Sequence, residues 1–263
     1  MSDKEMLDVT AEIAKEIAKD TYDDVGKPII KPTGELVGLI PRAIKAALSP
    51  LEKWVLQKEY NVAETKKLLE EKLQNTPPEL IRSPEPHIAV PAMQYISYCM
   101  DNEELREMYA NLLANSMNKV VKNGVHPGFI EIIKQLCPDE AKFLKYLSIN
   151  SRIPTITLKY VDILGEIDII KDFSDVPEKI GCEYPYDVAK YIDNLVRLGL
   201  LQKSTNTSLS DLSIYEPLKK HPYITDRIDE QEIKEMGLKK ADFDLRYVDL
   251  TTYGAAFCNV CLN

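Results

Sequence analysis

Cysteine is scarce in this chain of 263 residues: there are five, an odd number, at positions 99, 137, 182, 258 and 261. Such a count gives no evenly paired disulfide framework, and it points to a reducing compartment, the cytoplasm. Long apolar runs are missing as well. No stretch of about 18 apolar residues occurs, so no membrane-spanning helix is expected. The first residues, MSDKEMLDVTAEI, alternate acids and bases and lack the apolar segment of a secretory signal. Positive charge is in deficit throughout: 17 basic against 23 acidic residues up to position 140, and 16 against 19 after it, for a net charge of −9. Neither half carries the basic excess of a non-specific nucleic-acid binder, although a local basic patch remains compatible with these totals.

Familiar catalytic patterns are absent too. There is no G-x-S-x-G, phosphate-binding loop, dinucleotide fingerprint, H-E-x-x-H or nuclease-like carboxylate set. The only C-x-x-C is Cys258-Asn259-Val260-Cys261. Zinc needs four ligands, and the other cysteines are single and scattered, so the pair reads as buried apolar thiols. His87, His126 and His221 each adjoin a proline and read as turn residues. No catalytic residue, cofactor or metal ligand is assigned, and an enzyme is the less expected outcome.

What is present is helical periodicity. Met6, Val9, Ile13 and Ile17 mark an amphipathic helix over 4–25. The segment 29–57 is unusual. On a helical projection Leu36, Val37, Ile40, Ile44, Leu48 and Trp54 share a wide apolar arc, with Arg42, Lys45, Glu52 and Lys53 on a narrow, mostly basic back. Such an arc fits either a core helix or a helix lying in a membrane interface. A polar helix follows over 61–74. Pro77, Pro78, Pro84, Pro86 and Pro91 then read as an extended linker and internal boundary. Helices are expected over about 92–100, from a D-x-x-E start at Asp101 to Val120, over 129–136, and from Pro138 to about Ser148.

Beyond residue 150 the texture changes. Residues 155–161 (TITLKYV) have strand composition, and 186–198 (YDVAKYIDNLVRL) form an amphipathic helix stopped by Gly199. Leu200-Leu201 opens a strand, 204–240 is polar and irregular, and 244–251 returns as a strand before a last short helix. Helix, turn, strand, long loop and strand together read as a winged helix with an enlarged wing. The expected fold is therefore mainly α: amphipathic helices over 1–76, a helical core domain over 77–150, and a small α+β winged-helix-like domain over 151–263.

Two word patterns carry a family resemblance. The first comprises Leu105, Tyr109, Asn111-Leu112-Leu113-Ala114, His126-Pro127, Phe129, Ile133, Gln135-Leu136 and Pro138-Asp139-Glu140-Ala141. The second comprises Asn194-Leu195, Arg197-Leu198-Gly199-Leu200, Leu250-Thr251, Gly254, Phe257 and Cys261. In these the chain resembles the Abi-alpha family of bacterial proteins, named for abortive infection. Cys137 stands where the family's pattern has Ser. The resemblance implies phage defence and supplies no catalytic residues.

Two functions follow as expectations. The first is a cytoplasmic defence protein, possessing no cofactor, that acts on a protein partner, a second copy or a membrane surface through the arc from Leu36 to Trp54. The second is a winged-helix regulator that contacts DNA through Lys190, Arg197 and Lys203. The helix over 186–198 has no net charge, which suits packing or protein contact better than base reading.

Overall fold

The computed structural model describes residues 62–99, 101–162, 165–235 and 240–262. The helix expected over 4–25 and the arc carrying Leu36, Val37, Ile40, Ile44, Leu48 and Trp54 lie outside the described residues. The chain divides into two units, Met1–Leu136 with Val260–Asn263, and Cys137–Asn259.

The described part of the first unit is helical. Its helices are α1 (Val62–Leu73), α2 (Pro86–Ile96), α3 (Glu103–Met117) and α4 (Gly128–Ile133), with single 3-10 turns at Pro78–Leu80 and Lys122–Gly124. Leu69 and Leu73, one turn apart on α1, are buried, and α1 packs on α3. Helix α3 brings Met108, Tyr109, Leu112, Leu113 and Met117 to the core, and α4 adds Phe129, Ile130 and Ile133. Each of these side chains contributes roughly 1.5–3 kcal/mol on burial. The cap of α3 is Asn102, whose side chain accepts from the Leu105 N–H at 2.9 Å, and not Asp101. Pro86 opens α2 and Pro91 lies inside it, so the expected linker is in part a helix. Pro86 sits where a helix has no hydrogen-bond partner for an N–H anyway.

Asn111 and Asn115, one turn apart on α3, donate to the carbonyls of Cys261 and Val260 at 2.9 and 2.8 Å. They satisfy the otherwise orphaned carbonyls that end the helix Thr252–Cys261. Asn111 and Cys261 both belong to the resemblance described above, and 150 residues of chain separate them.

The second unit opens with α5 (Pro138–Asn150), capped by Glu140, whose carboxylate accepts from the Cys137 N–H at 2.8 Å. Strands β1 (Arg152–Asp162) and β2 (Gly165–Phe173) follow, then α6 (Val176–Lys179), α7 (Val188–Arg197) and β3 (Leu201–Lys203). Short helices α8 (Glu216–Lys219), α9 (Pro222–Thr225) and α10 (Glu230–Glu235) lead to β4 (Lys240–Leu250) and α11 (Thr252–Cys261). The four strands make one antiparallel, curled sheet in the order β2-β1-β4-β3.

This sheet overturns the winged-helix expectation and, with it, the mainly α fold class: the chain is α+β. A wing would be a hairpin of β3 and β4. Instead β4 pairs with β1 over ten residue pairs, from Arg152↔Asp249 to Val161↔Lys240, and with β3 over only three. The sequence reading missed β2. Its first four residues, Gly165–Asp168, are exposed on the sheet edge, so they carry no apolar alternation to betray a strand.

The polar stretch over 204–235, expected to be irregular, holds the short helices α8, α9 and α10 and is anchored to the sheet. The Tyr160 hydroxyl, on β1, donates to the Arg227 carbonyl and accepts from the Asp229 N–H. Tyr215 accepts from the Leu209 N–H at 3.0 Å and donates to the Arg246 carbonyl at 2.8 Å. Both rings are fully buried.

Gly199 ends α7 at φ 74°. The N–H groups of Leu200 and Gly199 return to the carbonyls of Leu195 and Val196, each at 2.9 Å, the paired bonds of a Schellman stop. The Leu200 carbonyl then accepts from the Thr251 N–H at 3.0 Å. A Cβ placed on Gly254 would stand 2.0 Å from that same carbonyl oxygen, so only glycine fits there. The family-like words Arg197–Leu200 and Leu250–Gly254 are thus two halves of one joint.

Candidate interaction surface

The densest unexplained surface chemistry lies in the second unit, where two X-Pro-Tyr words meet: Tyr184-Pro185-Tyr186 and His221-Pro222-Tyr223. The rings of Tyr186 and Tyr223 stack with centroids 4.3 Å apart and planes 1° apart. Tyr223 in turn stacks on Phe173 at 5.5 Å. Phe173, the last residue of β2, is buried, whereas Tyr186 is 46% and Tyr184 60% exposed. A column of three rings therefore runs from the core to solvent.

A buried carboxylate holds the backbone that leads into Tyr186. Asp139, on the first turn of α5, accepts from the N–H groups of Glu183 and Tyr184 at 3.0 Å each, and from the Tyr191 hydroxyl at 2.9 Å. The Tyr191 hydroxyl also reaches the Tyr184 carbonyl at 2.7 Å. Burial pushes the Asp139 carboxyl upward. The N–H groups of Tyr184 and Glu183, the Tyr191 hydroxyl and Lys142 pull it back, and the net result lies below its ordinary 3.8. Next to it, Glu140 accepts from Asn194 of α7 at 2.8 Å, which ties the two helices together.

The second strap is His221. Its Nδ1 accepts from the Tyr223 N–H at 3.2 Å, so the neutral ring carries its proton on Nε2, which faces Glu178 at 2.9 Å. The ring packs on Phe173 at 5.0 Å and edge-on to Tyr186 at 6.3 Å. Arg227 lays its guanidinium over Tyr223, 5.3 Å from the ring centre. The arrangement is a rigid aromatic step ringed by charge. It presents a flat face for stacking, and no nucleophile is paired with a base there.

The sequence-derived contacts fall elsewhere. Lys190 pairs with Asp187 at 2.8 Å, and both Arg197 Nε and Nη2 donate to Asn194 Oδ1. Lys203 lies between Asp172 and Asp193, 2.7 Å from each. Each cation thus meets an acceptor within the unit. His126 accepts from the Gly128 N–H at 3.0 Å, and His87 lines a shallow cavity of about 180 Å³ with Glu85, Ser116 and Lys122 in the first unit. Cys258 and Cys261 are buried, and burial pushes the Cys258 thiol up to about 12. Among the described residues no three His, Cys, Asp or Glu side chains are grouped to hold a metal, and no helix is long and apolar enough to cross a membrane.

Sequence reasoning missed Tyr184, Tyr186, Tyr223, His221 and the reach of Asp139. One signal was present. The chain has 14 Tyr against five Phe and one Trp, and Tyr is the aromatic that tolerates a wet contact surface.

Known proteins place this α+β chain in a family. The model of the family "Abortive infection alpha" matches residues 57–261. The chain belongs to the Abi-alpha family, which points to a role in abortive infection. A solved structure of an uncharacterized protein from the hydrocarbon-degrading marine bacterium Alcanivorax borkumensis SK2 is similar to it at 18% identity and a TM-score of 0.36. That similarity covers 51% of this chain and 92% of that one. No curated protein matches.

Proposed function

We propose that the protein acts in abortive infection by contact with a protein partner, without catalysis of its own, and that the Tyr184–Tyr186–Tyr223 step is a contact surface. The observation that carries this reading is the ring column itself. Two tyrosines stand 46% and 60% exposed on a backbone gripped by a buried carboxylate. Rigid aromatic anchors lose little conformational entropy on binding, and they dominate contact energetics where they occur. The apolar arc from Leu36 to Trp54 is a second candidate contact in the same reading, toward a protein or a membrane surface.

The test is a phage challenge of bacteria expressing the wild type, Tyr186→Ala or Ile40→Asp, each variant first shown to be folded by circular dichroism. The wild type is expected to protect the culture at low phage-to-cell ratio and to arrest growth at high ratio. Tyr186→Ala is expected to lose both effects. A Tyr186→Ala variant that protects as fully as wild type removes the step from the function. Loss in Ile40→Asp alone moves the contact to the amino-terminal arc.

A further inference from the structure

We infer that the outer face of Tyr186 seats an arginine side chain of the protein partner, an inference that rests on the contact surface proposed above. Three observations converge on that chemistry. The ring column Phe173–Tyr223–Tyr186 reaches solvent at Tyr186, which is 46% exposed and so offers aromatic surface to a partner. The column already holds a guanidinium of this chain, Arg227 over Tyr223 at 5.3 Å. The segment that carries Tyr186 is acidic: from Asp175 to Asp187 the chain has Asp175, Glu178, Glu183 and Asp187 against Lys179, while Lys190, paired with Asp187, and Arg227, over Tyr223, stand beside it. Glu178 reaches the step through His221, whose ring lies 6.3 Å from that of Tyr186.

This combination selects among stacking partners. The base of a nucleotide would stack equally well, but its phosphates would meet a segment whose acids outnumber its lysine. A lysine ammonium satisfies the charge, yet it is compact, strongly hydrated and without a plane to lay on the ring. A guanidinium is planar, weakly hydrated and forked, so it can stack on Tyr186 while its N–H groups face a carboxylate. Among the described residues Asp187 pairs with the exposed Lys190, and exposed ion pairs of this kind exchange partners at little cost.

The experiment measures fluorescence anisotropy of the full-length protein with three labelled probes: a short alternating Gly-Arg peptide with three arginines, its Gly-Lys counterpart of equal charge, and oligothymidine. The arginine peptide is expected to bind about fivefold tighter than the lysine peptide, the scale of one exposed cation–π contact. Tyr186→Ala is expected to erase that difference, and Tyr186→Phe to keep it. Equal affinity for the two peptides, an arginine preference that survives Tyr186→Ala, or preferred binding of oligothymidine each overturns the inference. Loss of phage protection in Tyr186→Ala without any arginine preference leaves the contact surface standing and removes arginine as its occupant.

Discussion

Among the described residues, the helical unit buries two polar side chains, Thr65 and Ser116, whereas the α+β unit buries six: Asp139, Glu140, Thr155, Thr157, Ser174 and Ser204. The first unit is specified by apolar faces at helical spacing, with the Asn111 and Asn115 amides serving the end of the last helix. In the second, buried polar atoms hold segments that have little regular structure. Asp139 grips residues 183–184, Thr157 accepts from the Asp172 N–H, and Ser204 bonds the backbones of Thr207 and Tyr247. A buried carboxylate or hydroxyl is worth little unless every partner is present, so these anchors define one geometry sharply and fail abruptly.

The contrast predicts different responses to damage. Leu112→Ala, in the middle of α3, is expected to cost about 4 kcal/mol by leaving a cavity in the helical core. Asp139→Ala is expected to cost about 3 kcal/mol, because the N–H groups of Glu183 and Tyr184 lose their acceptor together. Urea unfolding followed by circular dichroism gives both magnitudes, and hydrogen exchange read by mass spectrometry locates them. Loss of protection at residues 183–191 in the Leu112 variant, or around α3 in the Asp139 variant, would erase the distinction between the units.

The pH response sharpens it further. Asp139 has a folded-state value below its ordinary 3.8, so its stabilisation is complete above that value. The stabilisation is lost as pH falls through the lower, folded-state value, because the unfolded chain takes up the proton first. Thermal unfolding between pH 6 and 3 is expected to fall less steeply in Asp139→Asn than in the wild type. Equal slopes would mean that other carboxylates carry the acid sensitivity. The smallest effect belongs to Tyr186→Ala. It removes one stacked pair, with Tyr223, and should cost about 1 kcal/mol, a small downward shift of the melting curve.

The same contrast explains what could be read in advance. The helices of the first unit announce themselves through periodic leucines and isoleucines. Phe129, Ile133 and Leu136, for example, all reach the core, as apolar residues in an amphipathic stretch should. The stop of α7 at Gly199 was legible because a left-handed position favours glycine. The fold class was not legible, since it depends on β4 choosing β1 over β3, a pairing between residues about 90 apart that no local pattern encodes. The contact surface was hidden for a related reason. Asp139 looks like an ordinary acid in the first turn of a helix, and only the folded chain shows it reaching residues 183 and 184. Tyr184 and Tyr186 sit among prolines and acids with no periodicity at all.

Asp139 holds backbone N–H groups, and every residue except proline offers one at positions 183 and 184. The side chains displayed there are therefore nearly free of the fold that displays them. Such a mount lets the residues displayed at 183 and 184 change while the scaffold beneath them stays the same.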